Sequence, residues 1–229
     1  MTTLSKRKKK NLEQVDTDRV YGLIEGIQAL KSSHAVRFDE TIDIAVNLGI
    51  DPRKSDQAVR GAVSLPNGTG RTRRVIAFVK DPAKQEEARQ AGATEVGDDD
   101  LVKKVSDGFT DFDVAVAAPD MMGKVGKLGR VLGPQGKMPT PKAGTVTPDV
   151  ATAVREFAAG KVEFRADAGA TVHAAVGKRS FDGEALATNV RAFLDALIAL
   201  KPAAARGTYI KKVFLATTMG PGVAVDVSS

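Results

Sequence analysis

Residues 37–48, RFDETIDIAVNL, alternate between two kinds of side chain. Phe38, Glu40, Ile42, Ile44, Val46 and Leu48 fall on one side; Arg37, Asp39, Thr41, Asp43 and Asn47 fall on the other. Successive strand residues point to opposite faces, so this pattern demands a sheet with one buried face and one wet face. The same style returns at 208–218, where Tyr209, Lys211, Val213, Leu215 and Thr217 share a face. Between them the pattern changes. Val75 to Val79 and Val114-Ala115-Val116-Ala117 are short apolar runs separated by helical patterns, as in a parallel sheet buried on both sides. A one-faced sheet interrupted by a parallel block implies an inserted domain. The expected fold class is α/β: an α+β outer domain with a mostly antiparallel sheet, residues 1–67 with 160–229, plus an inserted parallel-sheet α/β domain, residues 68–159.

The rest of the chain fills this frame. Val20, Leu23, Ile24, Ile27 and Leu30 give a helix over 20–32, weakened at Gly26. A strand over 59–65 ends at Pro66, and Asn67-Gly68-Thr69-Gly70 reads as a flexible connector. Asp81-Pro82 caps one helix; Thr147-Pro148 opens another, over 148–159. Strands at 162–165 and 171–176 meet at a turn over 167–169, a helix spans 183–200, and 223–227 reads as an edge strand. Residues 1–12 have no apolar period and are expected to be mobile when unbound.

Composition removes several functions. Cysteine is absent, which excludes disulfides and Cys-ligated metal and fits a cytoplasmic protein. His34 and His173 are the only histidines, poor material for a metal site or for histidine catalysis. No apolar run is long enough to span a membrane, and the basic N-terminus does not read as a secretory signal. The net charge is +6, concentrated in KRKKK at 6–10 and in the stretch 121–144. That stretch holds six glycines, three prolines, five cations and no acid. Met121, Val125, Leu128 and Leu132 give its first half a helical face, running into a rigid loop. Lys124, Lys127, Arg130, Lys137 and Lys142 suggest an anionic partner. A phosphate-binding P-loop fails on spacing, because Val131 and Met138 occupy positions that need Gly and Ser or Thr. The dinucleotide fingerprint fails too, since Gly123, Gly126 and Gly129 are evenly spaced.

Other candidate residues sit at strand ends. Gly177-Lys178-Arg179-Ser180 offers two cations and a hydroxyl to phosphate and ribose. Thr217-Thr218-Met219-Gly220 offers hydroxyls, an apolar contact and close backbone approach, or is simply a strand end. By parity Phe38 belongs in the core with Ile42 and Ile44. His173 lies mid-strand. Aromatics are 5% and Trp is absent, so base stacking is not the expected mode. Asp98-Asp99-Asp100 suits a helix N-terminus better than a metal.

The run VGKLGRVLGPQGKMPTPKAGTV at 125–146 closely resembles the signature of the ribosomal protein L-one family. FDETID at 38–43, the segment 48–61, VSLP at 63–66 and TTMG at 217–220 resemble its bacterial members, in family order. The resemblance implies the same two-domain layout and no cofactor. It implies a ribosome component that binds large-subunit (23S) rRNA and forms the mobile stalk. It further implies help in releasing deacylated tRNA from the exit site, and repression of its own operon by binding the mRNA. It implies RNA contacts at Arg37, Phe38, Thr41, His173, Lys178, Ser180, Thr217, Thr218, Met219 and Gly220, with the five loop cations as a secondary basic site. Arg37 stands where many members have Lys, and Thr140 where Asn is common. The protein is expected to be a cytoplasmic monomer when free, with no membrane contact. The competing readings are a nucleotide-dependent enzyme on the parallel domain and a generic basic RNA chaperone.

Overall fold

The computed structural model describes residues 6–17, 19–33 and 36–226. The chain divides into two compact units, residues 1–70 with 162–229 and residues 71–161. It enters the first through helix α1 (Lys6–Gln14), although five consecutive cations repel one another there. Burial of Asn11 and Val15, one turn apart, anchors the helix; an apolar-period criterion misses it because only Val15 is a buried apolar residue. Strand β1 (Val20–Gly22) and helix α2 (Leu23–Ser32) share the stretch expected to be one helix. Gly26 has a packing reason: a Cβ there would lie 2.7 Å from Val225 Cγ1. Strands β2 (Thr41–Leu48) and β3 (Arg60–Val63) follow.

The second unit comprises β4 (Val75–Phe78), α3 (Pro82–Gln90), β5 (Glu95–Gly97), α4 (Asp99–Ser106) and β6 (Val114–Ala117). After them come α5 (Met122–Val125), a 3-10 turn, α6 (Gly129–Leu132) and α7 (Val150–Ala158). Its sheet is parallel, in the order β5-β4-β6. β4 is apolar throughout because it feeds two cores. Ile76 and Phe78 pack with α4 and with Met121, Val125, Leu128 and Leu132; Val75 and Ala77 pack with α3 and α7. The cap of α7 is Asp149, whose carboxylate accepts from Thr152 N at 3.1 Å, and not Thr147. Thr147 instead accepts from Asp149 N, one step earlier.

The chain returns through β7 (Val162–Arg165), β8 (Thr171–Lys178), α8 (Gly183–Ala199), β9 (Ile210–Thr217) and β10 (Gly222–Asp226). The main sheet has the order β1-β10-β9-β2-β8, antiparallel except for β1 beside β10. β10 is therefore an inner strand, not the expected edge, because β1 covers it. Ile42, Ile44, Val46 and Leu48 of β2 share one core with α2 and α8. The opposite residues, Asp43 and Ala45 among them, remain at least partly open to solvent. β7 pairs with β3 in a separate two-stranded sheet, and just past its end an isolated Ala166–Val172 bridge links toward β8, so 162–176 is not a simple hairpin.

The first two residues of the connector expected over 67–70 are tied to α8. Asn189, fully buried on α8, accepts from Asn67 N at 3.0 Å and donates to Gly68 O at 2.9 Å and Val176 O at 2.8 Å. A buried amide with its bonds satisfied fixes the segment it holds. Among the described residues no helix is long and apolar enough to cross a membrane.

Between β7 and β8, Asp167 Oδ1 accepts from Gly169 N and Thr171 N, both at 2.8 Å. The Thr171 bond first, and the Gly169 bond as well, hold this carboxyl below its usual range. Inside the turn Ala170 has φ 60°, unique among the described non-glycine residues. Its carbonyl accepts from Leu48 N at 2.8 Å, so the main sheet imposes the conformation. Left-handed backbone costs Ala about 1 kcal/mol relative to Gly. Ala170→Gly should therefore raise stability by about 0.5–1 kcal/mol in urea unfolding; a loss would show the turn unstrained.

Candidate nucleic-acid interface

Three chain segments meet where β2 begins and where β8 and β9 end. Thr41 pairs with Lys178 and Ile42 with Thr217, so the KRS and TTMG ends flank the lead-in to β2. Glu40, 1% exposed, lies beneath them. Its Oε2 accepts from Arg179 Nη1 at 2.7 Å, its Oε1 from Met219 N at 2.9 Å, and its carbonyl from Arg179 N at 2.8 Å. Arg179 Nη2 donates onward to the carbonyls of Lys31 and Ser33 at the end of α2. One ion pair, buried at Glu40 and partly exposed at Arg179, thus joins the end of α2, the lead-in to β2 and the ends of β8 and β9.

Smaller bonds complete the corner. Thr41 N donates to Thr218 Oγ1 and Thr218 N to Thr41 O, both at 3.1 Å. Lys178 Nζ donates to Thr41 Oγ1 at 2.9 Å. Asp39 accepts from Ser180 N at 3.1 Å and Ser180 Oγ at 2.7 Å. A Cβ on Gly220 would lie 2.2 Å from Thr217 Oγ1, so the turn requires glycine. The Thr217 hydroxyl is buried there with no hydrogen-bond partner among the described residues.

Phe38 departs from the core position that parity gives it: it is 54% exposed. Regular strand begins only at Thr41, so a period of two does not extend back to Phe38. Arg37, Thr218, Met219 and Ser180 are exposed beside the same corner. His173 stands apart. It is opposite Ala45, five residues down β8 from Lys178, roughly 16 Å at strand spacing. Its Nε2 lies 3.6 Å from Asp167 Oδ2. Asp43 is on the open face; partial burial pushes its carboxyl above the usual range, while His173 and Lys178 pull it back.

The basic stretch of the other unit is partly neutralised internally. Lys124 pairs with Asp99 at 2.7 Å and Asp98 at 3.2 Å. Lys137 donates to Thr110 O at 2.9 Å and lies 5.0 Å from the Phe112 ring centre. Lys127, Arg130 and Lys142 remain exposed. Three of the five cations are thus exposed, while Lys124 and Lys137 are partly exposed and tied to groups of the protein. No group of acids and histidines among the described residues could hold a metal.

Sequence reasoning missed Glu40 and Arg179 as the organisers of the corner. The signal was an acid on an otherwise apolar face, which must find a cation when buried.

The model of the Ribosomal protein L1p/L10e family matches residues 30–221, a span containing the corner and the glycine-spaced segment. The chain belongs to that family. Large ribosomal subunit protein uL1 of Beutenbergia cavernae is 52% identical over 228 residues, covering 100% of this chain and 95% of the relative. The uL1 proteins of Thermobifida fusca and Cutibacterium acnes are 53% and 54% identical over 222 and 214 residues; they cover 97% and 93% of this chain and 94% and 92% of themselves. Membership in the L1p/L10e family sets the enzyme reading aside: these relatives are structural proteins of the ribosome.

Two outcomes follow from this geometry. Glu40→Ala leaves the partly buried Arg179 without its carboxylate and the Met219 amide without its acceptor, and should cost about 2–3 kcal/mol in urea unfolding; a cost below about 1 kcal/mol would show that the pair does not organise the corner. For Asp43 the raised pKa means that the folded chain holds this proton more tightly than the unfolded chain. Its charge therefore costs stability above that range and nothing below it. Asp43→Asn should raise the Tm near pH 7, with the gain vanishing below about pH 4; a gain independent of pH would exclude this cause.

Proposed function

We propose that this L1p/L10e-family protein is a structural constituent of the large ribosomal subunit that binds large-subunit (23S) rRNA through the Glu40-centred corner, forming the mobile stalk. The observation that carries the reading is the juxtaposition of Phe38, Met219 and Thr218, all exposed, with Arg37 and Lys178, on a frame fixed from below by a buried ion pair. Cations neutralise phosphates, and rigidly held apolar and hydroxyl groups fit one RNA shape. The names of the relatives point to the same subunit. The residues assigned to RNA are Arg37, Phe38, Thr41, Lys178, Ser180, Thr217, Thr218, Met219 and Gly220. His173 extends the surface along β8, and Lys124, Lys127, Arg130, Lys137 and Lys142 form the secondary basic site, with Lys124 and Lys137 exchanging internal partners to reach RNA.

The reading extends to release of deacylated tRNA from the exit site and to repression of the protein's own operon through its mRNA. Both rest on the family resemblance, with the protein monomeric when free and cytoplasmic. Stalk rRNA and the operon leader should compete for one surface; simultaneous binding of both to one molecule would refute the shared site.

The informative apolar variants, at Phe38 and Met219, change side chains that hold no corner bond, whereas Lys178 also donates to Thr41 Oγ1. Thr218→Val would remove the acceptor of Thr41 N, and any side chain at Gly220 would strike Thr217, so losses there mix folding with binding. Phe38→Ala and Met219→Ala should leave the Tm intact and weaken stalk rRNA binding by about 1–3 kcal/mol, with the salt dependence unchanged. Lys178→Met should weaken binding to all RNA and lower the salt slope by about one unit. Parent-like binding of stalk rRNA by both Phe38→Ala and Met219→Ala would show that the corner is not the recognition surface.

A further inference from the structure

Helix α1 precedes residue 30, where the family match begins, and its cations have no part in the corner. Arg7, Asn11 and Val15 recur every four residues along its inward stripe, half-buried, buried and buried. Lys8 and Leu12 lie next to that stripe. At 100° per residue, Lys6, Lys9 and Lys10 fall about 130–170° around the helix from the centre of the groove-lining face of Arg7, Lys8, Asn11 and Leu12. The run KRKKK is therefore two surfaces, with Arg7 and Lys8 on one and three lysines on the other.

The first surface borders a groove of about 490 Å3 between α1 and the turn 219–222. Arg7 and Lys8 line one wall, Gly220 and Pro221 belong to the other, and Leu12 and Met219 contribute apolar surface. Leu12 is 41% exposed and Met219 39% exposed, so the apolar lining is open to a ligand. No carboxylate lines the groove. Met219 and Gly220 belong both to this groove and to the Glu40-centred corner, so the two surfaces are continuous.

We propose that this groove seats the sugar–phosphate backbone of the bound RNA, with Arg7 and Lys8 as phosphate contacts and Leu12 and Met219 against the sugars. The inference rests on the reading of the 217–220 turn as an RNA surface and adds a second, charge-bearing wall to it. Charge complementarity and continuity with the corner select this occupant. Three features fit a backbone: cations on one side, apolar atoms of the size that ribose covers, and glycines that let a chain approach closely. Binding also relieves the helix. Lys6 and Lys10 repel at four-residue spacing, and Glu13 is its one acid, so an anion beside the helix lowers the cost of holding five cations in a row.

The test compares two full-length double variants with the same net charge. Arg7→Gln with Lys8→Gln removes the groove cations; Lys9→Gln with Lys10→Gln removes two from the far side. The probe is a stalk fragment of large-subunit rRNA, titrated over a range of salt. The groove variant should bind about tenfold more weakly and lose about 1.5 units of salt slope, as expected for two phosphate contacts. The far-side variant should lose less than about threefold. Equal losses would show a diffuse positive field and overturn the proposal, as would parent-like binding by the groove variant. Failure of the parent protein to bind the fragment would instead remove the rRNA reading itself.

Because Arg7 is half-buried, a second measurement avoids its folding role. The chain has no cysteine, so one introduced thiol carries a photo-cross-linker at a single site. Leu12→Cys should cross-link to the rRNA fragment, and Lys9→Cys should not. Cross-linking from Lys9→Cys but not Leu12→Cys would place the RNA on the opposite side of the helix and overturn the proposal.

Discussion

The ends of the outer sheet depend on one charge pair, Glu40 wholly buried and Arg179 largely so. Taking Glu40 and Arg179 out of water costs several kcal/mol per ion, which their mutual attraction offsets only if every remaining lone pair and proton finds a partner. Here they largely do: the carboxylate also holds Met219 N, and the guanidinium holds two carbonyls at the end of α2. An apolar pair of similar volume would cost less to bury, but it would leave the Met219 amide and the Lys31 and Ser33 carbonyls without these partners. What the ion pair supplies is register. It fixes the ends of two strands and a helix relative to the first residue of β2, and a five-stranded sheet with slack ends would not present a defined surface.

The parts of the fold legible in the sequence are those where packing alone decides. The alternation over 42–48 reports one covered face, and the wholly apolar β4 reports two cores. Met121, Val125, Leu128 and Leu132 are buried on one side of a segment broken by glycines, as their spacing implies. What was not legible depends on partners far away in the chain. The three residues of β1 are a strand because β10 lies beside them, some two hundred residues on. Helix α1 is shaped by docking rather than by its own pattern. Phe38 is exposed because regular strand begins only at Thr41, and periodicity cannot report where a strand starts.

The candidate site divides the same way. Its backbone positions, at the ends of β8 and β9, could be read from hydroxyls, cations and glycine next to strand patterns. Of its fixing groups only Glu40 leaves a trace, as an acid on an apolar strand face, while Arg179 reads as part of a basic patch. Arg179 shows how charge counts mislead: it reads as a phosphate contact and is instead occupied from within. Lys124 and Lys137 repeat the lesson in the other unit, where Asp98, Asp99 and the Thr110 carbonyl take them up. Net charge sets the field around a protein, but only cations without an internal bond can replace the counterions of RNA without first losing one.

On the RNA-binding reading, that distinction constrains how the corner would discriminate one RNA from another. Thr41, Thr218 and Ser180 already have hydrogen-bond partners inside the protein. A bond from any of them to RNA must share or replace an existing one, so its net gain is small. Their contribution is to hold the surface still, which lowers the ordering cost when a ligand arrives. Phe38 and Met219 are different: each loses exposed apolar area only when something covers it. On the RNA-binding reading, shape selectivity therefore resides in these two side chains and in the bare backbone at Gly220, while Arg37 and Lys178 supply attraction that is blind to sequence. A surface so divided tolerates exchange of one cation for another, as at Arg37, more readily than any enlargement at Gly220, where a single added carbon meets Thr217 at 2.2 Å.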